Sequence, residues 1–586
     1  MKDAKSDPAQ SCKPDFVEYC LKKGRYRLKK QNFLKGSLIL IASAAAAKIM
    51  GAIFRIPLAN MLGGTGMGFF SSAYGIFMTV YAVSVSGIPV AAARFTAEYA
   101  ASSPEKIIGF RRTALKICIC AGIFFTLLIL LLAYPFSLYI THDPAAAFSA
   151  AAIAPSVFFG CVTAVYRGCF EGLRNMYPTA VSQTAEAVVK LAAGLLLCRA
   201  VLDLDSAEMA KAAEIIYRLF PYYYIKCISP EELRLPLAAA AAVSGVTLSS
   251  IAGTICVTAY NSNINKLYTK NELYPFPHKE TAKAFAAAVL PIAAGALVTN
   301  LTSLIDLATI TCSLEKAAES SPESFKAFIT EEISAEALPN FFYGSFTGLA
   351  VTIFNLVPTF TNMFGKSAVP AAAECCRSGN MTALHENVMR VVFTAAYIAV
   401  PCGMGISAIA PHALELLFPS RPLETSICSA PLRILGMGIM FLSVSSVLFL
   451  ILQGIGKGGI PVRIMLMGTA VKLIGNLLLI PNPALNISGA AISTVCCYCV
   501  IFIASVYETS VHTQCSLMKI YTLLLKLVFC GLLCGASAFL VSESLSARFS
   551  CLVTVPAAVI TGAIIYILST HLIGVLNKST LKMLIC

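Results

Sequence analysis

Ala114-Leu-Lys-Ile-Cys-Ile-Cys-Ala-Gly-Ile-Phe-Phe-Thr-Leu-Leu-Ile-Leu-Leu-Leu-Ala-Tyr134 carries a single charge, Lys116, close to its start. Wound as an α-helix at 1.5 Å per residue, it reaches about 30 Å, the thickness of a bilayer's hydrocarbon core. A strand is excluded, because an open sheet edge finds no partner for its amides in lipid. Comparable apolar segments recur near 37–60, 69–93, 146–166, 178–198, 236–260, 284–310, 341–364, 388–411, 430–452, 461–480, 487–507, 519–541 and 551–573. The whole chain of 586 residues agrees with them: 57% is hydrophobic, 13% is charged and the mean hydropathy is +0.77. A soluble domain carries about a quarter charged residues, so that class is excluded. The expected fold is all-α, a polytopic membrane protein of about fourteen transmembrane helices.

Charge sets the expected orientation. With the amino terminus in the cytoplasm, the inside segments hold a net +18 and the outside loops a net −7. Lys and Arg gather on the cytoplasmic side of membrane proteins, so both termini are placed there. The total of +14 then reflects topology and an anionic inner leaflet, and calls for no nucleic acid. Residues 1–35, rich in Lys and Arg and without an apolar core, read as a basic cytoplasmic arm rather than a cleavable signal. Two outside loops are long, near 199–235 and 311–340. The second holds Glu315, Glu319, Glu323, Glu331, Glu332 and Glu336 and reads as a solvated helix or flap, or as a gate. Trp is absent, so Tyr222, Tyr223 and Tyr224 are candidates for an interfacial belt. Most of the 22 cysteines sit in apolar runs and read as small hydrophobes.

A repeat points to two lobes. Ala187-Val-Val-Lys-Leu-Ala-Ala-Gly-Leu-Leu-Leu197 resembles Thr469-Ala-Val-Lys-Leu-Ile-Gly-Asn-Leu-Leu-Leu479 at an offset of 282 residues. The turns before them, Glu171–Pro178 and Gln453–Pro461, are both Gly-containing, basic and closed by proline. Repeated halves are how many transporters build a pathway at their interface. The expected division is the arm, an amino-terminal lobe of helices 1–6 over 36–260, a carboxyl-terminal lobe of helices 7–12 over 261–510, and a final helix pair over 511–586.

Charges inside spans are costly and mark function. Lys190 lies twelve residues past Pro178, about 18 Å into the core, and Lys472 reaches a similar depth. Glu186 lies four residues before Lys190, where the two can pair on one helix face. Lys48 and Arg55 are seven apart in the first span, and Asp306 lies late in the seventh. Arg94, Arg167 and Arg433 sit at helix ends, where long side chains snorkel. An internal excess of five bases over two acids favours an anionic substrate such as a phosphate. Pro89 and Pro401 are hinge candidates, each beside glycine. No Walker A loop is present, Asp203-Leu-Asp205 stands alone, and the six histidines have no metal-ligand spacing. Neither catalysis nor a metal or other cofactor is expected.

Four stretches carry a family resemblance: Leu62-Gly-Gly-Thr-Gly-Met-Gly68 with Gly87-Ile-Pro-Val-Ala-Ala-Ala-Arg94; Arg167 to Gln183 with Glu186; Tyr343-Gly-Ser-Phe-Thr-Gly348 with Val369-Pro-Ala-Ala-Ala-Glu374; and Leu452 to Pro461. In these the chain resembles the polysaccharide-biosynthesis, stage V sporulation protein B-like flippases of the multidrug/oligosaccharidyl-lipid/polysaccharide exporter superfamily. The resemblance implies two lobes alternating access around a central cavity in the plasma membrane. It implies translocation of polyprenyl-diphosphate-linked saccharides for cell-wall, spore-cortex or polysaccharide assembly. Lys48 matches a basic cavity position of related lipid II flippases, and Arg55 falls one residue out of register with another. The expected diphosphate site is therefore Lys48, Arg55, Lys190 and Lys472, with Glu186 and Asp306 as coupling or ion-pair candidates. Expected partners are the lipid-linked saccharide, membrane lipids and cell-wall synthesis enzymes. The alternative is a cation-coupled drug or metabolite antiporter of the same superfamily, which would depend on Glu186 or Asp306. A scaffold for cell-wall synthases is a further rival.

Overall fold

Hydrocarbon gives the backbone no partners, so a chain of this composition satisfies its amides and carbonyls within helices. The structure, a computed structural model, describes residues 33–102, 106–141, 143–219, 231–268, 277–329, 333–334 and 337–576. Most of the basic arm, Tyr222, Tyr223, Tyr224, Glu331, Glu332 and Glu336 lie outside the described residues. The amino-terminal half runs α1 Phe33–Ser84, α2 Ile88–Ser102, α3 Ile107–Tyr139, α4 Ala146–Ile153, α5 Pro155–Gly172, α6 Tyr177–Leu202, α7 Ser206–Leu219 and α8 Arg234–Tyr268. The carboxyl-terminal half runs α9 His278–Ser320, α10 Pro322–Phe325, α11 Leu338–Ser345, α12 Val351–Arg377, α13 Met381–Leu417, α14 Pro422–Gly454, α15 Gly459–Leu479, α16 Ile487–Thr513, α17 Leu517–Ser546 and α18 Cys551–Leu572. A π-helical turn, Phe346–Ala350, joins α11 to α12.

Twelve helical stretches among the described residues are long and apolar enough to cross a membrane, against about fourteen expected. Two expected segments fall within one 59-residue stretch, Ala42–Ala100. A third, 178–198, falls in α6, which carries Glu186, Lys190 and Arg199 and is not among the twelve. The long stretch is not one rod. At Gly63 the backbone turns to φ 64°, a region glycine enters at no steric cost. It breaks again at residues 85–87, so Pro89 stands in the first turn of α2, beside an interruption. Pro401 lies inside α13, whose departure from helical geometry is instead at Ile409, two residues before Pro411. Large apolar side chains such as Leu478 and Leu572 are 71% and 84% exposed, which suits a lipid-facing surface.

Helices α1, α6 and α8 pack together in the first half, as do α12, α13, α14 and α16 in the second, with α17 and α18 against α13. Both α9 and α11 bridge to α1. One large core accordingly draws residues from both halves, Phe54 and Phe70 with Phe341, Leu414 and Ile439. Helix α9 continues ten residues past the expected span end at 310, so part of the glutamate-rich loop is helix. Beyond it, Phe325 and Phe328 pack edge-on against Phe342. In the other long loop, α7 buries Met209 and Ala213 against Phe148 and Leu233.

The halves meet where small residues let backbones touch, as membrane helices commonly do. A Cβ at Gly344 would lie 1.9 Å from the Gly64 carbonyl oxygen and 2.2 Å from the Gly68 nitrogen. Replacing Gly344 by Ala should cost about 1–3 kcal/mol through overpacking and lower the melting temperature of the detergent-solubilised protein. Gly405→Ala, with nothing within 4 Å of the added methyl, should leave it unchanged or slightly raised.

Candidate functional site: a cationic seam between the halves

Helix α1 presents Lys48 and Arg55 on one face, seven residues apart, to α12. That helix answers with Thr352, Thr359 and Lys366, also at sevens, so the two rows lie along one seam. Near its end Lys48, Thr359, Asn362, Met363 and Lys366 line a small cleft. Lys48 and Lys366 interact electrostatically across it. Neither has an ion-pair partner among the described residues. Further along, the Arg55 guanidinium donates to the Thr352 hydroxyl at 3.4 Å. Thr352 in turn donates to the Thr347 carbonyl at 3.2 Å, five residues back, which the π-helical turn makes possible.

Deeper in, Lys190 of α6 donates from Nζ to the Tyr74 phenol at 2.5 Å. Its ammonium lies 4.9 Å from the Tyr74 ring centroid and 5.3 Å from that of Phe54. Aromatic faces attract cations, but they leave the formal charge uncompensated. Arg55 acts electrostatically on Tyr74 and on Tyr343, and Tyr343 also feels Asp306. Two phenols, one from each half, therefore stand among Lys190, Arg55 and Asp306.

Both internal carboxylates are held elsewhere. Glu186 does not pair with Lys190 as its spacing suggested: it meets Arg167 of α5 at 2.8 Å. Arg167, expected to snorkel, also donates to the Ser182 hydroxyl at 2.9 Å. The reason is tertiary, since α5 lays its basic residue beside the same face of α6. A Cβ on Gly253 of α8 would sit 2.0 Å from the Glu186 carboxylate, which is walled in. In the second half, Lys472 is 5% exposed at its side chain and bridges to Asp306 at 2.5 Å. Asn476 adds donors to Asp306 (3.3 Å) and Thr309 (2.8 Å) and accepts from Ser493. Lys472 thus lies in a closed network of α9, α15 and α16 and does not line the seam.

Sequence reasoning missed Lys366, Tyr74 and Tyr343. The spacing 352, 359 and 366 on one helix was a readable signal for the first. Tyr343 opens a stretch that carries the resemblance, but nothing local gives either tyrosine a role, which depends on what other helices bring to it.

The turn before each repeated helix is shared in its backbone. Arg174 and Gly456, 282 residues apart, both adopt positive φ, 58° and 82°. The surrounding hydrogen bonds match one for one: Arg174 to Glu171 and Asn175 to Phe170 correspond to Gly456 to Gln453 and Lys457 to Leu452.

Together these features define a class, a multi-pass helical membrane protein with a repeated turn and a cationic seam between its halves. Residues 33–231 match the family described as polysaccharide biosynthesis protein, and residues 340–560 the family described as lipid II flippase MurJ. Stage V sporulation protein B of Bacillus subtilis (strain 168) is 24% identical over 476 residues, covering 80% of this chain and 81% of that protein. The fold is similar to that of the lipid II flippase MurJ in an inward closed conformation, with a TM-score of 0.57 at 12% identity, over 92% of this chain and 98% of that one. It is equally similar to an inward-facing multidrug resistance MATE family transporter of the MOP superfamily, with a TM-score of 0.58 at 13% identity, over 82% and 99%. Over most of its length the chain is thus similar to polysaccharide biosynthesis proteins and lipid II flippases.

Removing one partner of a buried ion pair strands the other charge, at about 3–5 kcal/mol. Asp306→Asn and Lys472→Met should each destabilise the protein on that scale. The double variant should lose clearly less than the sum in a thermal double-mutant cycle; additive losses would show that the pair is not coupled.

Proposed function

We propose that the chain moves a polyprenyl-diphosphate-linked saccharide across the plasma membrane by alternating access, for cell-wall, spore-cortex or polysaccharide assembly. The observation that carries this is the uncompensated seam: Lys48, Arg55, Lys190 and Lys366 have no carboxylate partner among the described residues, while both internal acids are already neutralised. A diphosphate supplies the missing negative charge and accepts charge-assisted hydrogen bonds from ammonium and guanidinium groups. The polyprenyl tail stays in lipid, and the saccharide occupies the space between the halves. In this reading helices over 36–260 and 261–510 are the two moving lobes, with both termini cytoplasmic, in keeping with the charge asymmetry of the loops. Lys472 supports the second lobe through Asp306 rather than touching the diphosphate, and cell-wall synthesis enzymes receive the product.

The antiporter reading needs a carboxylate free to exchange a cation. Arg167 occupies Glu186 and Lys472 occupies Asp306, which counts against it. Flipping an anion also moves charge, so the membrane potential is available as a driving force.

The test is binding of a polyprenyl-diphosphate saccharide to the purified protein, with an uncharged polyprenol and a cationic dye as controls. Selective binding that weakens with salt is expected. One charge-assisted hydrogen bond is worth about 1.5–3 kcal/mol, or about 10–100-fold in affinity. Lys48→Gln, Arg55→Gln and Lys366→Gln should each weaken binding by at least about tenfold, and Lys190→Gln likewise. Binding of the dye alone, abolished by Glu186→Gln or Asp306→Asn, would replace this reading with the antiporter.

A further inference from the structure

The seam that is lined with like charges at one end is fastened at the other, fifteen residues along α1 from Lys48, or about 22 Å. There the break at Gly63 exposes the carbonyl end of one helical run beside the amide end of the next. Helix ends carry such groups without intrahelical partners, and their dipoles favour a cation at the carbonyl end and an anion at the amide end. The opposite half supplies both from a single turn. Arg421 donates from Nε to the Asn60 carbonyl at 3.0 Å and from Nη2 to the Met61 carbonyl at 2.8 Å. Glu424 accepts from the Gly64 amide at 3.0 Å. Asn60 answers across the same gap, donating from Nδ2 to the carbonyl of Leu417, the last residue of α13. Glycine is required at position 63 for two separate reasons. Its φ is positive, and a Cβ would lie 2.7 Å from Arg421 Nη1 and 3.0 Å from Glu424 Oε1.

We propose that Arg421 and Glu424 are a latch, which caps the helix break at Gly63 from across the molecule and holds the two halves closed at the membrane face opposite the Lys48–Lys366 mouth. The caps come from the α13–α14 turn, so they hold only while the halves are together at that face. Opening there uncaps both helix ends at once. The latch therefore sets the balance between the conformation seen here and one open to the other side. Arg421 and Glu424 lie only 4.0 Å apart themselves, but each is matched in sign to the helix end it meets, so the pair is polar in its orientation. This inference rests on the alternating-access reading of the two halves and not on the identity of the cargo.

Hydrogen–deuterium exchange on the full-length protein in lipid nanodiscs tests it, following peptides around 58–66 and 415–426 and those containing Lys48 and Lys366. Arg421→Gln, Glu424→Gln and Gly63→Ala should each speed exchange at the latch by at least tenfold, while exchange at the mouth slows as the molecule tips to the other conformation. A purely structural loss would speed exchange at both ends and overturn the proposal. Arg421→Lys, which keeps the charge but not the fork, should give an intermediate shift. The exchanged double variant Arg421→Glu/Glu424→Arg keeps an ion pair but sets each charge against the wrong helix end. It should behave like the single variants, and wild-type exchange in it would overturn the capping role. Undecaprenyl diphosphate added to the wild-type protein separates the two readings. If the lipid alters mouth protection and the latch variants do not, the latch is wrong and the transporter reading stands. If the variants alter it and the lipid does not, the latch stands and the diphosphate assignment falls. If neither alters it, both fall.

Discussion

A charge in hydrocarbon needs a partner, a water-filled space or a route to the headgroups, and the internal charges of this protein are sorted by how they meet that demand. Arg167 with Glu186 and Lys472 with Asp306 are cancelled in place by packed helices of one half. Lys190 leans on a phenol and two aromatic faces, which steady the ammonium without neutralising it. Lys48 and Lys366 face each other across a cleft with no acid between them. The first group welds helices within a half. Lys48 and Lys366 lie where the halves face one another and Lys190 packs on α1 of the first half, so the unmet electrostatic demand gathers around α1.

Backbone groups obey the same constraint. Two interruptions in the long helices come with a local answer. At Gly63 the free ends are capped from the far half by Arg421 and Glu424. At residues 346–350 a π-helical turn frees Thr352 to hold the Thr347 carbonyl while accepting from Arg55. In both cases an irregular backbone lies at the contact between halves. Irregularity is tolerated in membrane helices where protein or a water-lined cavity satisfies it. These two interruptions therefore mark the interface, whereas the one at Ile409 packs within the second half.

The repeat shows how one local design serves two ends. The turns at Arg174 and Gly456 share their hydrogen bonds and their positive φ, and each delivers a lysine to the same depth of the following helix. The two lysines then diverge. Lys472 finds Asp306 on α9, whereas Lys190 finds Tyr74 on α1 and loses Glu186 to Arg167. Equivalent positions acquire unequal charge because their neighbours come from non-equivalent helices. That inequality leaves the first half with a free cation and the second with a neutral network.

The helical class, the membrane environment and the repeat were legible in the sequence, because length and hydropathy of a segment are local quantities and lipid admits few backbone solutions. The matching positions of Lys190 and Lys472 along α6 and α15 were legible too, since the repeat aligns the two helices. Pairing was not. Glu186 sits four residues from Lys190 yet bonds to a residue on another helix, and Asp306 is 166 residues from its partner. The break at Gly63 also eluded a reading that looked to prolines for hinges. A glycine pair signals permission to turn, and only the approach of Arg421 and Glu424 shows that the permission is used. The sequence by itself determined a helical chain with many segments long and apolar enough to cross a membrane. Tertiary structure alone decided which of those charges are cancelled, because that depends on the contacts between helices, which distance along the chain does not encode.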